Sequence, residues 1–324
     1  MPEPIALGII GFGIMGERLL RAALGQAAEF VTPVGIWDPA PGAAARLAAV
    51  SPAVPLLASA EAVIDACDCL YIAAPPAAHI PMAEAALAAG RAVFLEKPLA
   101  TDLAAARAFV AAAEAAGARA AVNFPMASSP AVAQLGGWRA GLVPKTLTIE
   151  VAFATWPRGW QQEAASWLAR RAEGGFTREV VSHFLFLTRR QLGPLALVEA
   201  ATLYPPGEAA ETAIHARLTA GGVPVTLTGS VGTTDKDDHN SWTLNEAIRL
   251  RDWSFAERYR ADGTWAATPD AVPNERMRSM VLRGQLAGVA AMTRGAPHHL
   301  STLREALEVQ EIVEAILAAG PPPR

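Results

Sequence analysis

The chain has 324 residues, 52% of them hydrophobic, and a formal net charge of -4. That length exceeds one usual compact core, so two domains are expected. The lack of a long basic run removes the electrostatic footprint of a nucleic-acid or anionic-membrane binder.

The opening MPEPIALGII has no basic n-region, and its apolar run breaks at glycine far short of a bilayer span. A soluble cytoplasmic protein with a small-molecule partner is expected, without nucleic acid or membrane. Cys67 and Cys69, the only cysteines, are too close for a mutual disulfide and lack zinc spacing; they read as a buried pair. Only three of the 27 basic residues are lysines (Lys97, Lys145 and Lys236), which makes each lysine position worth inspecting.

In chain order, the apolar run Ile5 to Ile10 predicts a strand. Gly11-Phe12-Gly13-Ile14-Met15-Gly16 then predicts a tight turn leading into a helix over Glu17 to Ala28. In a dinucleotide fold the first glycine makes the turn, the second lets the pyrophosphate approach, and the third lets helix and strand pack closely. The helix amino terminus offers N–H groups and partial positive charge to the phosphates. A second strand, Val31 to Trp37, ends at Asp38, 22 residues beyond Gly16. An acid at that distance meets the adenosine ribose hydroxyls and repels a 2′-phosphate, favouring NAD with NADP still open. The lesser alternative for Asp38 is a turn or helix cap.

Cys69 to Ala74 predicts a buried strand, followed by Pro75-Pro76, a helix from His79 to Ala89 and a strand from Ala92 to Leu95. These βαβ units predict a parallel, doubly wound sheet over residues 1–122 with the cofactor at its carboxyl edge. Glu96-Lys97-Pro98 follows the last of these strands, placing a lysine at that edge.

From Asn123 the pattern changes. Thr146 to Ala154, Leu197 to Leu203, Thr212 to Ala220, Val223 to Val231 and Glu246 to Trp253 predict strands with short glycine-rich turns. A carboxy-terminal α/β domain over 123–324 with an open, mostly antiparallel sheet is expected, its last helix (about 301–318) packing back on the first domain. Trp156, Arg158, Trp160 and Trp167 fall close together in sequence. They read as aromatic walls with a guanidinium for a substrate, or as loop packing with a surface arginine. Glu179 and His183 stand four apart on a predicted helix, hence on one face; the histidine reads as a catalytic group or a satisfied core residue. No histidine has metal-like spacing to acids or cysteines, so no metal is expected.

GFGIMG at 11 to 16, APPAAH at 74 to 79, EKP at 96 to 98, GGFTREVVSH at 174 to 183 and REALEVQEIVEAI at 304 to 316 together resemble the Gfo/Idh/MocA oxidoreductases. The resemblance implies a Rossmann domain followed by a substrate and oligomerisation domain, and hence a homodimer or higher homo-oligomer. It implies that Lys97 contacts nicotinamide ribose and substrate oxygen, and that His183, with Glu179 in the place of the family's aspartate, assists proton transfer. Ala74, Pro75, His79, Glu96 and Asn123 join the glycine turn and Asp38 on the cofactor side by the same resemblance. Phe186, Pro76, Leu168 and Pro125-Met126-Ala127 stand where the family often carries polar groups, which points to a substrate less polar than a free sugar, or gripped by other residues. The expected reaction is hydride transfer between nicotinamide and a carbonyl or secondary alcohol. Imine reduction and a non-catalytic dinucleotide sensor are the alternatives.

Overall fold

The computed structural model describes residues 2–321. The chain forms two compact units. The first runs to Ser128 and also takes in Arg278–Leu307; the second comprises Ser129–Met277 and the chain from Glu308 onward. The polypeptide thus passes between the units three times.

In the first unit, β1 (Ile5–Ile10), β2 (Val31–Trp37), β3 (Cys69–Ile72), β4 (Ala92–Leu95) and β5 (Ala120–Val122) form one sheet in the order β2-β1-β3-β4-β5. Every pairing is parallel. The intervening helices are α1 (Ile14–Leu24), α2 (Ala43–Val50), α3 (Ala60–Ala66), α4 (His79–Ala88) and α5 (Leu103–Ala115). Ser59 and Asp102 cap α3 and α5 by accepting from amides of their first turns. Strands β3 and β4 are buried at every residue, as a sheet covered on both faces requires.

Leu7, Ile9, Leu20, Tyr71 and Phe94 share the core with Leu286, Val289 and Leu300 from the returning C-terminal segment. Each such fully buried side chain contributes roughly 1.5–3 kcal/mol before the opposing entropy. Cys67 and Cys69 are buried free thiols, and burial pushes them up to about 11 and about 12 respectively. They are inert packing groups at neutral pH.

The second unit is built on an eight-stranded sheet of β6 (Leu147–Phe153), β7 (Leu195–Leu203), β8 (Ala213–Ala220), β9 (Val223–Val231), β10 (His239–Leu244), β11 (Ile248–Arg251), β12 (Phe255–Tyr259) and β13 (Trp265–Ala267). Its order is β13-β12-β11-β10-β6-β9-β8-β7. Only the β6–β9 pairing is parallel. The strand expected over Glu246 to Trp253 is shorter, because both its ends are turns. Asn245, Glu246, Asp252 and Trp253 all have positive φ, so two tight reversals bracket β11. Helices α6 (Pro130–Arg139), α7 (Ala165–Leu168) and α8 (Ser182–Leu192) accompany this sheet. Within the core the indole N–H of Trp242 on β10 donates to the Thr188 hydroxyl on α8 at 2.9 Å.

Two helices span the boundary between units. α9 (Asn274–Thr293) belongs to the first unit from Arg278, and α10 (Leu303–Leu317) leaves it after Leu307. Past that point Glu308 and Glu314 pair with Arg189 and Arg178 of the second unit, each at 2.7 Å. Among the described residues no helix is long and apolar enough to cross a membrane.

The start of α1 lies close against the turn that follows β1: a Cβ at Gly16 would lie 2.1 Å from the Gly11 carbonyl oxygen. Gly16→Ala is therefore expected to lower stability by about 1–3 kcal/mol, read as a shifted urea midpoint. An unshifted midpoint would show that helix and strand have room to separate.

Candidate active site

Each glycine of the turn after β1 answers a separate steric demand. Gly11 has φ +89 and lies against the Ala73–Ala74 backbone, where a Cβ would come within 2.5 Å of the Ala73 carbonyl. Gly13 is exposed, and a Cβ there would meet no atom within 4 Å, so its surface is open to a ligand rather than filled by protein. Gly16 closes the helix onto the turn. The Asp38 carboxylate locks the arrangement by accepting from the Phe12 N–H at 2.6 Å and from the Ala40 N–H at 2.7 Å. Ile14 and Met15 open α1, whose first-turn amides have no partner within the helix. These residues fit a dinucleotide: an open glycine surface, a helix amino terminus and a carboxylate at the end of the second strand. One cation escaped the sequence reading. Arg46 of α2 reaches the Phe12 carbonyl at 3.4 Å, which brings a guanidinium to the same turn.

At the carboxyl ends of β3 and β4 the unit is cross-tied by polar groups. The half-buried Ala74 and the exposed Pro75 lead into α4, where His79 is buried. One of its ring nitrogens lies 2.8 Å from the Ala74 carbonyl and the other 2.8 Å from the Pro98 carbonyl. Glu96 is buried and accepts from the Tyr71 hydroxyl and from the Asn123 side-chain amide, the latter at 2.6 Å; Gln285 in turn donates to Asn123. Burial, then the neighbouring Glu96 carboxylate, holds the Tyr71 phenol well above its usual range. The phenol therefore stays a donor to Glu96 at all moderate pH. Lys97 follows directly, half-buried, with a cis bond to Pro98. The acid of this tripeptide is thus a structural anchor beneath the lysine.

In the second unit, Thr177–Val181 is a π-helical turn leading straight into α8. Glu179 sits in that turn, half-buried, and His183 is buried one turn later. π-Turns inside helices occur frequently at functional sites. The His183 ring packs edge-on against Trp253, with centroids 5.4 Å apart and planes at 75°. Trp253 was read from sequence only as a strand end, yet it holds φ 68 in a turn position that favours glycine. A tryptophan there costs about 1–3 kcal/mol of backbone strain, which the ring's contacts must offset. Those contacts include Phe184 at 5.2 Å and an indole N–H donated to Asp238 at 3.1 Å.

Asp238 also takes the Arg158 guanidinium at 2.5 Å, while the Nε of Arg158 donates to Gln161 at 2.9 Å. Arg158 is buried and stacks between Phe153, Trp156 and Trp160, with centroid distances of 5.9, 5.6 and 4.8 Å. The Trp156 indole donates to the Leu168 carbonyl at 3.0 Å and packs on Phe153 and Phe176. Trp160 is nearly half exposed. Trp167 lies apart, lining a cavity of about 490 Å³ with Arg170, Arg171, Glu173 and Glu208. The sequence neighbours thus separate into an aromatic–arginine stack and a cavity wall.

A profile described as "Oxidoreductase family, NAD-binding Rossmann fold" (GFO_IDH_MocA) matches residues 5–124. Residues 5–124 belong to that family. The Gfo/Idh/MocA segment thus contains the glycine turn, Asp38, His79, the Glu96-Lys97-Pro98 tripeptide and Asn123, on a fold that binds NAD. A comparison of the whole sequence with curated proteins finds no significant match.

Solved structures share the fold across both units. A putative myo-inositol dehydrogenase from Sinorhizobium meliloti aligns over 96% of this chain and 95% of its own, with 19% identity and TM-score 0.73. UDP-N-acetylglucosamine 3-dehydrogenase from Acidithiobacillus ferrooxidans covers 98% and 97%, with 18% identity and TM-score 0.76. GenD2 from gentamicin A biosynthesis, solved in complex with NAD, covers 97% and 93%, with 20% identity and TM-score 0.76.

One buried acid beside the His183 segment had no sequence signal. Glu211 is 1% exposed, and its Oε1 accepts from the Thr177 N–H at 2.7 Å at the head of the π-turn. Its Oε2 rests where a Cβ on Gly175 would stand, 2.2 Å away, and has no hydrogen-bond partner. Burial pushes the Glu211 carboxyl above its usual value, against the opposing Thr177 hydrogen bonds and the Arg178 charge. A carboxyl whose folded value is raised binds more protons folded than unfolded, so the stability it confers falls as pH rises above its unfolded value of 4.5. Glu211→Gln is thus expected to melt higher than the native chain at neutral pH, with the difference vanishing below that value. A pH-independent difference would place the strain elsewhere.

Proposed function

We propose that the chain is an NAD-dependent oxidoreductase that interconverts a carbonyl and a secondary alcohol on a small, sugar-related or less polar molecule. The observation that carries this reading is the placement of Lys97 at the carboxyl end of β4, on the same NAD-binding sheet as the open Gly13 surface. The dinucleotide supplies or accepts the hydride. Lys97, as a cation, stabilises the negative charge that grows on the substrate oxygen and delivers its proton during reduction. By resemblance His183 assists that proton transfer, with Glu179 adjusting it and Trp253 packed on its ring.

The substrate class draws support from neighbours whose names specify myo-inositol and UDP-N-acetylglucosamine dehydrogenation. Trp160, with its exposed ring, and Trp167, on its cavity, are proposed as apolar substrate walls, and Trp156 as the support behind them. Arg158 is proposed to hold the stack rather than to grip a substrate anion, since Asp238 and Gln161 already take its guanidinium. A homo-oligomer and a cytoplasmic location belong to the same proposal.

The test is a turnover panel: NAD with myo-inositol and UDP-N-acetylglucosamine, and NADH with ketones, keto acids and cyclic imines. Turnover of an alcohol or ketone is expected. Turnover of imines alone would move the reading to imine reduction, and binding without any turnover would favour a sensor. Lys97→Met is expected to lower turnover about a hundredfold or more while leaving NADH affinity largely intact; equal turnover would exclude the lysine from the chemistry.

Asp38→Asn keeps one acceptor oxygen for the glycine turn but removes the charge that repels a 2′-phosphate. The preference for NAD over NADP is expected to fall by about tenfold, equivalent to about 1.4 kcal/mol. An unaltered preference would release Asp38 from the ribose.

A further inference from the structure

His79 sits in an arrangement that a neutral imidazole cannot satisfy. Its two ring nitrogens each lie 2.8 Å from a backbone carbonyl oxygen, Ala74 on one side and Pro98 on the other. A carbonyl only accepts, and a neutral ring carries one N–H, so one of the two contacts would set a nitrogen lone pair against an oxygen lone pair. Only the imidazolium donates to both. The ring is 1% exposed, and the surroundings identified with it oppose that charge. Burial is the largest influence and, together with Lys97, the charged side chain that bears on the ring, pulls its basicity below the ordinary histidine value. The backbone carbonyls of Ala74 and Pro98 and the backbone of Leu99 pull the other way. His79 also stands at the positive amino end of α4. Glu96, the acid nearest to Lys97 in the chain, takes Tyr71 and Asn123 on its Oε1. The cavity for the ring is thus shaped for a cation, while the one side-chain charge among these influences is itself positive.

A dinucleotide would supply a negative one. The Ala74 carbonyl that His79 holds belongs to the backbone segment on which Gly11 rests, with a hypothetical Gly11 Cβ 2.6 Å from the Ala74 nitrogen. A pyrophosphate lying along the glycine turn brings two negative charges to that segment. We propose that His79 takes up a proton when the dinucleotide binds, and that the resulting imidazolium clamps the Ala74 and Pro98 carbonyls together.

The proton comes from solvent, one N–H bond forms, and no electron moves. The clamp ties the turn beside the glycine cradle to the Lys97-Pro98-Leu99 segment, so cofactor binding also fixes the backbone that carries the lysine. His79 is a positioning residue here. The proposal depends on dinucleotide binding and is indifferent to which substrate receives the hydride.

The sign follows from linkage. A group whose affinity for protons is higher in the complex than in the free protein makes binding tighter at low pH. That advantage is lost as pH rises through the value in the complex. For the native chain the NADH dissociation constant is therefore expected to rise with pH, by up to about tenfold per unit, between the lowered value of the free protein's His79 and its higher value in the complex.

Titration calorimetry with NADH at neutral pH, in buffers of different ionisation enthalpy, should report net uptake of up to one proton per NADH bound. His79→Gln, which can donate to only one carbonyl, should abolish the uptake and flatten the pH dependence. Because that variant risks misfolding, a second measurement uses the native chain: long-range proton–nitrogen spectra of histidine-labelled protein should show both His79 nitrogens protonated in the NADH complex. Zero uptake in the native chain, uptake that survives in His79→Gln, or a neutral tautomer in the complex each overturn the proposal. Failure of NADH to bind at all would instead refute the dinucleotide reading, and the clamp with it.

Discussion

The first unit depends on the closeness of three backbone segments around Gly11. Its φ of +89 turns the chain from β1 toward α1, its α-carbon presses on the Ala73–Ala74 backbone, and its carbonyl oxygen lies against the α-carbon of Gly16. None of these approaches leaves room for a methyl group. Asp38 then joins the turn to the end of β2 through two backbone amides. The same closeness that packs strand, helix and crossover leaves Gly13 as the exposed surface, so the steric economy of the fold and its ability to take a dinucleotide have one origin.

The polar groups around that turn are used to hold loops rather than to decorate a surface. Glu96 sits under Lys97 and is satisfied by Tyr71 and Asn123, and Asn123 is satisfied in turn by Gln285 from α9. The returning C-terminal segment is thereby part of the support for the tripeptide, both through Gln285 and through Leu286, Val289 and Leu300 in the core. A buried network of this kind is costly when a member is lost, and here its outer end, the Gln285 Oε1, has no hydrogen-bond partner among the described residues.

In the second unit the organising element is the π-turn that precedes α8. Glu211 caps its first amide, Arg178 within it pairs with Glu314, and His183 emerges one turn later against Trp253. Trp253 and Asp238 connect that histidine to the Arg158 stack by direct contacts. A strained tryptophan is tolerated because its ring meets three partners at once.

Much of this was legible in the residues. Gly11, Gly13 and Gly16 with Asp38 fixed a strand, a turn, a helix and a second strand, because local backbone demands and hydrophobic periodicity act over short stretches. The strands Ile5–Ile10, Val31–Trp37, Ala92–Leu95 and Val223–Val231 lie where their patterns placed them. The polar strand His239–Leu244 and the three-residue β5 did not announce themselves; they exist through pairing with neighbours rather than through any pattern of their own.

Only the tertiary structure decided the partners of side chains. It joined Arg46 to the glycine turn, Glu211 to the π-turn, Trp253 to His183 and Gln285 to Asn123, and it committed Arg158 to Asp238. Each of these pairs lies 34 or more residues apart in the chain. Periodicity and turn chemistry report what a segment does with its own backbone, whereas the pairing of distant polar groups is set by which surfaces the folded chain brings within hydrogen-bond reach.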